Sequence, residues 1–189
     1  MGRNSILSRR RFVITALASG SCLTACSDSL GTGQGAKIDA RVDATLAEMF
    51  RQYPSLRDLA GQASGLLVMP LVTEVGVIFG SSYGRGALRI NNSTVEFYSA
   101  ASGSGGLQFG AQQYSHVLFF MTDAALNDFR NSSGWVVGAN AEYALFVDGA
   151  SIQSDTTTST SSVIAVVFGQ AGLRVGATIS GTKYSRLIF

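Results

Sequence analysis

The run from Ser102 to Met121 (Ser-Gly-Ser-Gly-Gly-Leu-Gln-Phe-Gly-Ala-Gln-Gln-Tyr-Ser-His-Val-Leu-Phe-Phe-Met) constrains the fold most. It joins a dense glycine cluster to a long apolar run and carries the only histidine. Leu107, Phe109 and Ala111 alternate with Gln108, Gly110 and Gln112, a period of two that predicts a strand with the apolar set on a core face. Val117 to Met121 is apolar on both parities, as expected of a strand covered on both sides; its shortness and aromatic content disfavour a helix. Gly110 marks a bend, a bulge or the close approach of another backbone, devices that curved sheets and barrel corners need. The expected class is α+β, a curved antiparallel β-sheet or partly closed β-barrel with N-terminal helices and one short helix between strands.

Size supports one such domain. The 189 residues are 46% hydrophobic and 14% charged, enough to bury a substantial core. The formal charge of +2 misleads, because Arg3, Arg9, Arg10 and Arg11 crowd a leader that holds no acid. The remainder has ten basic against 12 acidic groups. A general basic surface for nucleic acid is therefore absent, and no nucleic-acid partner is expected.

That leader is the most specific signal. Ser8-Arg9-Arg10-Arg11-Phe12-Val13-Ile14 resembles the twin-arginine export signature, with Arg9, Arg10 and Phe12 in its key positions. Phe12 to Ala25 is too short and too polar to span the ~20 apolar residues of a bilayer. It ends in Leu23-Thr24-Ala25-Cys26, which looks like a bacterial lipobox that would leave Cys26 as the acylated first residue. Residues 1–25 are thus expected as signal peptide, and residues 26–38 as lipidated cysteine and flexible linker. Residues 39–189 form the expected folded domain. Ser27 to Lys37 has linker composition and would reach at most roughly 35 to 40 Å. With Cys22 in the discarded peptide, no disulfide is expected in the mature chain. The location implied is the bacterial cell envelope, lipid-anchored on the periplasmic side. Ser27, standing where an inner-membrane retention aspartate would sit, favours the outer membrane.

Val42, Leu46, Met49, Phe50 and Tyr53 recur at helical spacing, and Pro54 separates them from a short second helix over Ser55 to Ala63. From Gly65 the chain reads as short strands: Leu66–Met69, Val75–Gly80, Gly86–Ile90, Val95–Ala100, Leu107–Gln113 and Val117–Met121. After a helix over Asp123–Arg130, capped by Thr122, come Trp135–Gly138, Glu142–Val147, Val163–Phe168, Gly172–Ser180 and Lys183–Phe189.

Several of these segments carry a resemblance: Gly65-Leu66-Leu67-Val68-Met69-Pro70, Tyr83-Gly84-Arg85-Gly86, Ser104-Gly105-Gly106-Leu107-Gln108-Phe109-Gly110-Ala111-Gln112, Phe119-Phe120-Met121-Thr122, Gly172-Leu173 and Gly181-Thr182-Lys183-Tyr184-Ser185. In this order, over about residues 39 to 189, they resemble the SYLF domain family. The resemblance implies a lipid-binding module, phosphoinositide-directed in eukaryotic members, some of which bind actin. Bacterial relatives include secreted lipoproteins. The first helix here is not basic, and an exported bacterial protein meets neither actin nor, ordinarily, phosphoinositides, so neither ligand is expected.

Chemistry is poorly supported. His116 stands alone, no Gly-x-Ser-x-Gly elbow lies between a strand and a helix, and no metal-ligand cluster or phosphate-binding loop ending is present. No catalytic residue, metal or cofactor is expected, and the chain reads as non-enzymatic. The reading is an envelope lipoprotein whose domain binds lipid or a membrane surface; a scaffold or protein-interaction module without lipid ligand is the alternative. Membrane lipid is the partner through palmitate-type acylation of Cys26. Arg85, Arg89, Arg174, Lys183 and Arg186 are the candidate contacts with anionic lipid.

Overall fold

A computed structural model describes residues 32–76, 79–105, 110–140, 143–147, 161–172 and 179–189. Helices α1 (Thr32–Gln52) and α2 (Leu56–Gln62) precede strands β1 (Gly65–Gly76), β2 (Phe79–Ile90), β3 (Ser93–Gly105) and β4 (Gly110–Phe120). Helix α3 (Asp123–Asn131) follows, then β5 (Trp135–Val136), β6 (Tyr143–Val147), β7 (Val163–Gly172) and β8 (Lys183–Leu187). The strands form one sheet in the order β5-β8-β3-β2-β1-β4-β7-β6. Every neighbouring pair from β5 to β7 is antiparallel, and β6 adds to β7 in parallel. The connection over residues 148–162 exceeds the dozen or so residues that a parallel crossover needs.

The sheet is curled, as expected, and one hydrogen bond shows how far. Tyr184 on β8 and His116 on β4 meet with Oη and Nε2 2.8 Å apart. In a flat sheet these strands would lie four spacings apart, roughly 19 Å, with side chains standing parallel and never meeting. Curling turns the two toward each other across a concave side packed with Leu67, Leu118, Phe120, Phe129, Trp135 and Tyr184. Phe129 of α3 is central to this packing. Its ring centroid lies 4.7 Å from Tyr98, 4.8 Å from Phe120 and 5.5 Å from Trp135. Thr122 fixes where α3 begins, its hydroxyl accepting from the Ala125 amide.

The convex side carries α1 and α2. Ile38, Val42, Leu46 and Met49 of α1 and Leu56 of α2 pack on Val68, Ala87, Val117, Phe119, Ile164 and Val166. Val117 to Phe120 are therefore covered on both sides, which is why the sequence there is apolar on both parities. Nearer the start of β4 the expected parity is reversed. Ala111 is exposed, whereas Gln112 is buried and donates to Glu74 at 2.6 Å. Leu107 and Phe109 lie outside the described residues.

Glycine was read as ending strands, yet here it lets long strands run close together. β1 and β2 each span regions expected as two short strands or as one strand and a loop. β1 continues through Pro70 because the ladder slips there, between Val68 and Leu71 toward β2 and between Met69 and Val72 toward β4. Ser115 donates its hydroxyl to the Pro70 carbonyl at 2.7 Å. A Cβ at Gly86 would collide with the Val68 carbonyl and Met69 sulfur, and one at Gly84 would stand 2.7 Å from Val72 Cγ2. Asn91 and Asn92, both with positive φ, make the two-residue turn from β2 to β3.

Two ends differ from expectation. Helix α1 begins at Thr32, so it takes in the last part of the segment read as linker. Gly35 is buried there, and a Cβ on it would stand 3.1 Å from the Phe97 ring. At the other end β8 stops at Leu187, and Phe189 is half-exposed, edge-on to Phe97 at 5.4 Å.

Candidate functional site

The slip in β1 also decides what the convex surface displays. Before it, Leu67 and Met69 point to the concave side; after it, Val72 does, which turns Leu71 and Val75 outward. Leu71 is 42% exposed, Val75 50% and Tyr83, opposite Thr73 on β2, 52%. This apolar patch borders a cleft of about 360 Å³ between the start of α1 and the β1–β2 pair, lined by Gln34, Lys37, Arg41, Leu71, Tyr83 and Arg85 among others.

Among the described residues, no acid lines that cleft. Lys37 and Arg41 are one helical turn apart and share a face of α1. The acids of α1 are engaged elsewhere. Asp43 binds Arg89 at 2.6 Å, Asp39 accepts from the Thr94 hydroxyl at 2.6 Å and lies 3.7 Å from Arg89, and Glu48 pairs with Arg51. A count of charges along α1 hides this sorting, because spacing places the two signs on different faces. Lys37 and Arg41 were thus missed, although the i, i+4 spacing that unites them was legible.

The residues expected to touch lipid separate into distinct settings. Arg85 lies in the cleft, its guanidinium donating to Gln34 at 3.2 Å. Arg89 is largely buried and ties β2 to α1 through Asp39 and Asp43. Lys183 shares the sheet face of Tyr83 across Ala101, but its side chain leans over Gly134 toward β5, away from the cleft. Arg186 turns to the other face, where it pairs with Glu96 at 3.1 Å and donates to the Arg130 carbonyl. Burial acts to raise the Glu96 carboxyl. Hydrogen bonds from Arg130 and Tyr98 and the nearby Arg130 and Arg186 charges outweigh it and hold the group below its usual range. Arg174, Cys26, Arg9, Arg10 and Phe12 lie outside the described residues.

His116 is wholly buried between Tyr114 and Tyr184, with Nε2 on the Tyr184 hydroxyl and, among the described residues, no partner for Nδ1. Burial pushes its pKa down to about 3. It is thus a neutral core imidazole at ordinary pH.

These features define an α+β domain with a curled, mainly antiparallel sheet, helices on its convex side and a basic cleft edged by exposed apolar side chains. Residues 101–186, from the middle of β3 into β8, match the family described as Ysc84: Las17-binding protein actin regulator. That match is consistent with a SYLF domain protein and bears out the resemblance seen in the sequence over this segment. No match was found among curated proteins. Such a match supports a lipid-binding or protein-interaction module.

Proposed function

We propose that the chain is a membrane-anchored envelope lipoprotein whose domain holds an anionic lipid surface through the cleft of Lys37, Arg41 and Arg85, without catalysing a reaction. The observation that carries this reading is the meeting of three cations, with no acid lining their cleft among the described residues, and the exposed Leu71, Val75 and Tyr83. Basic side chains at the phosphate level with aromatic and aliphatic groups just below it make an interfacial contact. The leader and Cys26 support the anchor, and Ser27 supports the outer membrane on its periplasmic side.

A protein beginning at Ser27 keeps all of α1 and lacks any anchor, so it reads the domain alone. It should bind phosphatidylglycerol vesicles, release them by ~0.5 M salt and bind neutral phosphatidylcholine vesicles less. Replacing Lys37, Arg41 and Arg85 together by alanine should weaken the binding about a hundredfold, at ~1 kcal/mol per basic residue. Undiminished binding by the triple variant would refute the cleft, and no binding to either vesicle would favour the scaffold reading. The anchor has its own test. Cells supplied with labelled palmitate should label the protein, and Cys26→Ser should abolish the label; an unlabelled parent protein would rule the acyl anchor out.

A further inference from the structure

A second cleft, of about 420 Å³, lies where the end of α1, α2 and the β2–β3 turn converge. Its apolar walls include Leu46, Phe50, Ala63 and Leu66, and its polar side includes Arg57 and Arg89; among the described residues no acid lines it. Arg57 is held with its guanidinium carbon 5.0 Å from the centre of the Phe50 ring, and no carboxylate pairs with it among the described residues. Arg89 spends Nη2 on Asp43 and Nη1 on the Asn92 carbonyl, leaving its buried Nε–H without an acceptor among the described residues. A buried donor left unpaired is costly, and Arg89 is among the residues that line this cleft.

We infer that this cleft binds a single-chain carboxylate amphiphile, a free fatty acid. Asp39 and Asp43 pair with Arg89 and do not line the cleft, so Arg57, which no carboxylate pairs among the described residues, is the cation left to meet a ligand anion. The two oxygens of a carboxylate answer the paired N–H groups of the Arg57 guanidinium. The apolar walls take the chain. The volume lies at the small end of the roughly 300–1,000 Å³ of small-molecule clefts, which favours one chain over two. This site is separate from the Lys37–Arg41–Arg85 cleft and stands without the membrane reading.

Gly61 supplies the test. It lines this cleft, and a Cβ built on it meets nothing within 4 Å. Leucine there fills the cleft while improving the helix propensity of α2, so the fold is kept. Decanoate, titrated calorimetrically into the Cys26→Ser full chain, should bind about tenfold tighter than octanoate, since each added methylene is buried, and tighter than decanol. Gly61→Leu should abolish binding without lowering the melting temperature. Arg57→Gln should erase the preference for decanoate over decanol, and the Lys37, Arg41 and Arg85 triple variant should bind decanoate like the parent. Binding that survives Gly61→Leu, equal affinity for decanol, or displacement of decanoate by a short apolar peptide that binds more tightly would each overturn the assignment.

Discussion

Gly86→Ala should cost the fold about 3 kcal/mol or more, because its methyl group would be driven into the Val68 carbonyl and the Met69 sulfur at the centre of the sheet. Backbone on the neighbouring strand cannot move aside as a flexible side chain can. For a domain of this size, that loss corresponds to a melting temperature lower by roughly 10 °C. Gly103→Ala is the matched control. It makes the same chemical change in β3, where a Cβ would meet nothing within 4 Å, and it should change stability by less than about 1 kcal/mol. Thermal denaturation of both variants reads the difference. If Gly86→Ala melts with the control, β1 and β2 do not approach as described.

The second large effect is acid sensitivity arising from His116. Its native pKa of about 3 lies below the ordinary 6.5, so between these values the unfolded chain binds a proton that the native chain does not. Stability should therefore fall as pH drops from about 6.5 toward 3, with a slope of up to about 1.4 kcal/mol per pH unit. The depressed Glu96 carboxyl also loses stability on acidification, but only below its unfolded value of 4.5. The window from 4.5 to 6.5 consequently isolates the histidine. Urea denaturation across that window should show a marked slope in the parent and a flattened one in His116→Gln, whose amide can still bond Tyr184. Equal slopes would show that His116 is solvated in the native state.

The sequence made the class of fold legible where one physical signal dominated. Val117 to Phe120 are apolar on both parities because both faces of the sheet are covered, and Thr122 opens α3 with the hydroxyl that its chemistry supplies. Glycine carried two meanings that composition cannot separate. Gly35 and Gly86 allow close approach of a helix or strand, whereas the same residue type elsewhere was read as a break or a tether. The slip at Met69–Pro70 reversed the facing of everything beyond it on β1, so the exposure of Leu71 and Val75 followed from a ladder contact invisible in one dimension. Two of the three cations of the candidate site escaped the sequence for a related reason. Lys37 and Arg41 sit on a helix whose acids outnumber them, and only the packing of Asp39 and Asp43 toward Arg89 and Thr94 separates the signs.

Were Cys26 acylated, the burial of Gly35 against Phe97 would set a leash length. If acyl chains hold Cys26 in a bilayer, only the stretch up to Thr32 is left to pay out, at most roughly 20 Å when extended. A folded unit of some 158 residues has a radius of gyration of about 15 Å. The leash is thus comparable with the radius, and the domain would remain next to the lipid with the first turns of α1 as its nearest part. Lys37 and Arg41 lie on those turns, so the basic cleft would spend its time within a Debye length or two of the headgroups without needing to search for them.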